Sequence, residues 1–383
     1  MKNRPNLLKF AASLVMVAIF TASFPGLLQA SASPRLYWGA YISGGTYGTN
    51  PATGQTYSDP PWDMAAWDLF ETHTGKKVSI FHWGQPWYAT NEWPQGYFPF
   101  PADLATKVRS RGAIPMLDWS SFDLSAGSSN VNQPRFSLGS IIAGNHDAYI
   151  RQWATAAKAW GFPMFLRFDW EMNGNWFPWS EQVNGNQPGQ FVAAWRHVHD
   201  IFTAVGANNI TWVWAPNIAS NGSIAISTLY PGDAYVDWTG LDAYNKYSTW
   251  QSSSALLKGG AVSWLQNSYQ QVLAVAPKKP MMLAEVASLE AGDGGAKKAA
   301  WITDALTSAI PASFPAIKAV VWFNWNADAG SSFVIESSAP AQAAFRAAIG
   351  TSTYAANNFG SLPAYTKIQP LGGQTVSIKP NFN

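Results

Sequence analysis

Across 383 residues there is no cysteine. That excludes disulfides, thiolate zinc sites, iron–sulfur clusters of the usual kind and a cysteine nucleophile. Charge is scarce as well: Asp, Glu, Lys and Arg make up 12% of the chain, where soluble domains carry about 25%. No basic stripe suited to a nucleic-acid backbone is present. The chain also lacks H-E-x-x-H, G-x-S-x-G and Walker motifs, internal repeats, and any Pro/Ser-rich linker between residues 36 and 350. Gly44-Gly45-Thr46-Tyr47-Gly48 does not match G-x-G-x-x-G and reads as a loop, not a phosphate cradle.

Long apolar runs are missing too. The one near the start, from Phe10 to about Ala22, falls short of the roughly 20 residues a spanning helix needs, and Pro25-Gly26 breaks it. Lys2, Arg4 and Lys9 precede it and Ala30-Ser31-Ala32 follows, the layout of a secretory signal peptide. Residues 1–32 are therefore expected to be removed on export, leaving a secreted protein with no membrane attachment. Without those three basic residues the net charge moves from +2 to −1, which suits a neutral substrate.

What is abundant is apolar and aromatic: 47% hydrophobic residues, 15% aromatics and 21 Trp. Such a chain can build a large core, so a disordered tail is excluded. Flat amphipathic rings in this number also suit the faces of sugars.

Eight short runs rich in aromatic and β-branched residues read as buried parallel strands: 36–42, 78–83, 113–119, 163–170, 210–215, 236–243, 280–286 and 319–325. Helical patterns lie between them, at 63–72, 102–111, 147–160, 190–205, 261–275, 297–308 and 341–349. Residues 224–230, after the fifth run, make a short helix at best. Alternation of this kind predicts a single-domain (β/α)8 TIM barrel over residues 33–350, with a doubly wound open sheet as the alternative. The tail, 351–383, is too short for a carbohydrate-binding module.

Barrels carry their chemistry at the C-terminal ends of strands. Glu171 ends the fourth run and Glu285 the seventh. Two glutamates across a barrel mouth, among tryptophans, suffice for glycoside hydrolysis: one protonates the leaving oxygen, the other attacks carbon or activates water. The plain alternative is an ion pair with Arg167 or a lysine. After the second run, Trp83, Trp87, Tyr88, Trp93, Tyr97 and Phe98 cluster among glycines and prolines, which reads as a sugar-stacking wall of an open cleft. His82 could reach a sugar hydroxyl or simply pack. His197 and His199, two apart on a helix, cannot share a metal.

Residues 167–179 (RFDWEMNGNWFPW), with Trp195-Arg196-His197-Val198-His199 and Trp214-Ala215-Pro216-Asn217, resemble glycoside hydrolase family 26. Gly240-Leu241-Asp242-Ala243-Tyr244-Asn245 and Leu283-Ala284-Glu285 fall where that pattern puts them. The resemblance implies a barrel with Glu171 as acid/base, Glu285 as nucleophile and Tyr244 as the nucleophile's hydrogen-bonding tyrosine. It also implies that Asn173, Trp176 and Trp179 shape the cleft and that Trp325 is an aromatic floor. Trp170, Trp87, Trp119, His82 and Asn217 complete the expected substrate-binding set. The implied activity is retaining endo-hydrolysis of a β-linked polysaccharide, by default β-1,4-mannan, in a monomer that needs no cofactor or metal. In one respect the chain departs from the pattern. The family's mannanases carry His just before the acid/base, whereas this chain has Trp170, which only donates. Mixed-linkage β-glucan and β-xylan are therefore the alternative substrates, and a transglycosylase or a non-catalytic carbohydrate-binding barrel the alternative functions.

Overall fold

The computed structural model describes residues 35–90, 96–127, 129–246, 251–260, 262–328 and 331–371. The expected signal segment, 1–32, and Trp93 lie outside the described residues.

Eight parallel strands close into a barrel in sequence order. They are β1 (Tyr37–Ile42), β2 (Ile80–Tyr88), β3 (Ile114–Asp123), β4 (Met164–Phe168), β5 (Ile210–Trp214), β6 (Trp238–Asn245), β7 (Met281–Ser288) and β8 (Ile317–Asn324). Closure comes from β1 pairing with β8 along its whole length, Tyr37 opposite Ala319 through Ile42 opposite Asn324. An open doubly wound sheet is thereby excluded.

Helices follow the strands, and all but the short α3 where the periodicity predicts them: α1 (Met64–Thr74), α2 (Ala102–Ser110), α3 (Leu138–Ile142), α4 (Asp147–Trp160) and α5 (Gln190–Val205). Asp63 caps α1 by accepting from the Ala65 amide. Gly161, at φ 75°, ends α4 in the left-handed conformation that glycine adopts without strain. The helix expected over 261–275 forms only in its second half, as α7 (Ser268–Val275), and an unexpected short helix, α6 (Ser253–Lys258), precedes it. Gly259 and Gly260 take positive φ between them, and the Asn267 side chain caps α7. Then come α8 (Ala296–Thr303), a π-helical turn, α9 (Ile310–Ser313) and α10 (Ala339–Gly350).

Strand alternation sorts side chains into two cores. Residues facing outward pack beneath the helices, and inward ones such as Ile80, Met116, Phe165 and Met282 fill the lower barrel. The tail closes that lower end. Trp238 Nε1 donates to the Ile368 carbonyl at 2.9 Å, Tyr37 Oη to that of Gln369 at 2.7 Å, and Ile368 joins the inner core.

Two residues of the expected aromatic wall are core, and Tyr88 and Tyr97 are half-buried against it. Strand β2 continues five residues beyond the expected end, so Trp83 and Trp87 alternate outward with Phe81 into the layer under the helices. Trp87 is fully buried against Trp119, ring centroids 4.9 Å apart, and Trp119 donates to Tyr149 Oη. Neither ring has a face open to a ligand. Twelve tryptophans among the described residues are under 2% exposed, so the surplus serves packing before sugar binding.

Candidate active site

Two residues above the apolar layer, the inward positions become charged. Arg167 follows Phe165 on β4 and Asp118 follows Met116 on β3. The fully buried guanidinium bonds three carboxylates: Asp118 at 2.9 Å, Glu285 at 2.5 Å, and Asp242 on β6. Arg167 is thus the ion-pair partner foreseen for a glutamate, and it lies beneath the cleft, holding Asp118 and Glu285 of its floor. His82 does not reach the cleft. It is buried against Tyr41, with Nε2 2.9 Å from Asp118 Oδ2 but out of line for a hydrogen bond.

The cleft above this floor has a volume of about 520 Å³. Of the expected residues, Glu171, Glu285, Trp170, Trp176, Asn217, Tyr244 and Trp325 line it. Asn173 and Trp179 lie just behind, fully buried. Asn173 clamps the Asn217 backbone through both its amide atoms at 2.9 Å, and Trp179 Nε1 holds the Trp170 carbonyl at 2.7 Å. They shape the cleft from the second row instead of binding in it. Tyr41, Phe122, Phe177, Phe323 and Phe333 line the cleft without having been anticipated. Tyr41 and Phe323 sit at strand ends, and that position was the signal that could have found them.

Each glutamate reaches the cleft through a local distortion. Along β7, Met282 and Ala284 face inward, so simple alternation would turn Glu285 out. The β6–β7 register slips between Leu241 and Asp242, placing Asp242 opposite Glu285 and skipping Ala284. This bulge re-aims Glu285 into the barrel mouth. On β4 the strand ends at Phe168, and Asp169 and Glu171 take positive φ values of 41° and 53° in the turn that follows.

Their neighbours differ. Glu171 accepts from Trp176 Nε1 at 2.7 Å and from Asn217 Nδ2, both neutral donors. Burial raises its pKa above the ordinary glutamate value, the Glu285 charge adds to the rise, and the two donors and Arg167 oppose it. Glu285 accepts from cationic Arg167 and from Tyr244 Oη. Burial also raises the Asp242 and Tyr244 pKa values, so the tyrosine stays a donor. Atoms of Glu171, Asp242 and Glu285 lie within 4.8 Å of one another, as do atoms of His82, Asp118 and Glu285. Arg167 already bonds acids in both groups, which puts a fixed cation where a metal ion would sit.

Residues 114–286, from the start of β3 to one residue beyond Glu285, match the family described as Glycosyl hydrolase family 26. The stretch that holds both glutamates belongs to that family. Endoglucanase H of Acetivibrio thermocellus is 33% identical over 323 residues, 81% of this chain but 32% of that protein. The chain thus spans about a third of that relative's length. Mannan endo-1,4-beta-mannosidase A and B of Caldalkalibacillus mannanilyticus is 34% identical over 80 residues, 20% of this chain and 15% of that one. Among solved structures, a modular endo-β-1,4-mannanase from Cellulomonas fimi superposes with TM-score 0.59 at 19% identity, covering 90% of this chain and 75% of that one. A β-mannanase from Bacteroides ovatus gives 0.54 at 16%, covering 84% and 90%. At these identities the likeness establishes the barrel.

Proposed function

We propose that the protein is a secreted, retaining endo-β-glycanase that hydrolyses β-1,4-mannan by double displacement. The observation that carries this reading is the glutamate pair. Oxygens of Glu171 and Glu285 lie within 4.8 Å, which falls on the side of retaining enzymes, about 5–5.5 Å between carboxyls, and not of inverting ones at about 6.5–9.5 Å.

In the first step Glu171 gives its proton to the glycosidic oxygen while the Glu285 carboxylate attacks the anomeric carbon. The C–O bond breaks, the leaving chain departs as an alcohol, and a glycosyl ester forms on Glu285. Glu171, now a carboxylate, takes a proton from water, which attacks the same carbon and returns Glu285 as leaving group. Trp176 and Trp325, 42% and 41% exposed, offer ring faces beside the pair, as an endo-acting cleft requires. All these groups come from one chain, which supports a working monomer. Export follows from Lys2, Arg4 and Lys9 and the apolar run after them, and it suits a polymer too large to enter a cell.

A second substrate, β-glucan, is favoured by one feature of the cleft. Mannose and glucose differ only at the hydroxyl next to the reacting carbon, and Trp170, beside the acid, lines the cleft there with an indole in place of histidine. The relative aligned over 81% of this chain is named an endoglucanase.

The test is reducing-sugar release from mannan, glucomannan, lichenan and β-xylans, with Glu285→Ala beside the wild type. Cleavage of mannan by the wild type alone is expected. Cleavage of lichenan alone would transfer the assignment to β-glucan. Binding without cleavage of any polymer would overturn the enzymatic reading in favour of a non-catalytic barrel.

A further inference from the structure

We propose that Asp169 is the positioning residue for the acid/base: by clamping the turn after β4 to the end of β3, it aims the Glu171 carboxyl at the glycosidic oxygen. The proposal rests on the double-displacement reading of Glu171.

Strand β4 is only five residues long, and the reversal after it is unusual. Among the described residues four non-glycine positions have positive φ, and two of them, Asp169 and Glu171, flank Trp170. Aspartate tolerates this region better than glutamate, but both conformations persist only when their surroundings impose them. Three tethers do so. The Glu171 amide donates to the Ala215 carbonyl at 2.8 Å, and Trp179 Nε1 holds the Trp170 carbonyl at 2.7 Å.

The third tether is the Asp169 side chain. The backbone amide of Asp169 makes only a long 3.4 Å contact with the Trp119 carbonyl. Its carboxyl is bonded far better: Oδ1 accepts from the Ser121 amide at 2.8 Å, and Oδ2 lies 2.6 Å from Ser121 Oγ. Ser121 is itself fully buried on β3. A bidentate grip between neighbouring strand ends fixes the first residue of the turn, and Glu171 is two residues further on.

Asp169 is fully buried and does not line the cleft, so it acts through Glu171 and not on substrate. Arg167 spends its hydrogen bonds on Asp118, Asp242 and Glu285, and among the described residues no cation bonds Asp169. Burial pushes the Asp169 carboxyl up to about 8, against the two Ser121 donors. An asparagine keeps the clamp without a charge: its oxygen accepts from the Ser121 amide, and its NH₂ donates to the Ser121 hydroxyl once that hydroxyl turns to accept.

The experiment compares wild type, Asp169→Ala, Asp169→Asn and Ser121→Ala, with Glu171→Ala as reference. Substrates are the polymer that the wild type cleaves and two aryl β-glycosides of a disaccharide from it. One aryl glycoside carries a phenol that needs protonation and the other a dinitrophenol that does not. In kcat/KM, which reports the first step, a misplaced acid slows only bonds that need its proton. Asp169→Ala should lose about 10- to 100-fold in kcat/KM on the polymer, within the range general acid catalysis supplies, and less than about three-fold on the dinitrophenyl glycoside. Asp169→Asn should stay within about three-fold of wild type on both substrates. Ser121→Ala, which removes one of the two bonds, should show the same selectivity at smaller size, and it carries the test if Asp169→Ala does not fold. An equal loss on both leaving groups would overturn the proposal, as would an asparagine variant no better than alanine. If Glu171→Ala itself showed no dependence on the leaving group, the underlying reading of Glu171 would fail first.

Discussion

The ends of β4 and β7 bring one glutamate each to the same cleft, with opposite surroundings. Glu171 stands on a left-handed turn beyond its strand and meets two neutral donors, Trp176 and Asn217. Glu285 stands on a bulge within its strand and meets a guanidinium and a phenol. Neutral donors leave burial and the neighbouring charge to dominate at Glu171, so its pKa rises, as a proton donor needs. The guanidinium, shared with Asp118 and Asp242, gives Glu285 a charge-assisted bond, which suits a group that must attack as carboxylate. Two identical side chains are given different tasks by what lies around them.

Removing either carboxylate should break this pairing most severely. Glu285→Ala is expected to lose on the order of 10³-fold or more in kcat, since no other group can form the glycosyl ester. Added azide should restore turnover in that variant with inverted product, which gas- or liquid-chromatographic analysis of the glycosyl azide would detect.

Tyr244→Phe keeps the ring and deletes one bond to Glu285. A hydrogen bond to a charged group is worth about 1.5–3 kcal/mol, so kcat should fall about 10- to 100-fold with KM little changed. An unchanged kcat would mean that the tyrosine only packs.

Trp176→Phe sharpens the comparison from the other side. The indole donor favours the charged form of Glu171 and holds its pKa down, so removing it raises that pKa further. Activity requires protonated Glu171 and is lost as pH rises through its pKa. The alkaline limb of kcat/KM should therefore move to higher pH, by up to about one unit for a bond of roughly 1 kcal/mol. A shift to lower pH would contradict the assignment of Glu171 as the acid.

The smallest effect on activity belongs to the core. Trp119→Phe should leave KM unchanged while lowering stability by about 1–3 kcal/mol in denaturant unfolding, because Trp119 is fully buried, packs on Trp87 and Trp153, bonds Tyr149 and does not line the cleft. A raised KM would restore it to the cleft.

The order of strands was legible because a parallel strand buried on both faces is apolar over most of its length, as in Met164-Phe165-Leu166 and Trp212-Val213-Trp214-Ala215. The placement of Glu285 was only half legible. Position at a strand end pointed to it, but the bulge that turns it inward leaves no mark in Met282-Leu283-Ala284-Glu285. Trp87 and Trp119 were misread for a different reason. Gly84 and Pro86 look like loop residues, yet β2 runs through them to Tyr88, and its alternation drives Trp87 under the helices. An aromatic-rich strand extension and an aromatic cleft loop have the same composition. Lys298 gave no signal either: it is buried, with Nζ donating to the Val334 carbonyl at 2.7 Å and to Ser337 Oγ at 2.9 Å, and so it braces the segment that carries Phe333 to the cleft.

The division of labour between the two glutamates can be read most directly by trapping the covalent intermediate. The wild type is incubated with an activated 2-deoxy-2-fluoro β-glycoside, digested, and its peptides weighed. The account predicts one added glycosyl mass on the peptide containing Glu285 and none on that containing Glu171. A label on Glu171, or turnover with inversion and no label at all, would contradict it.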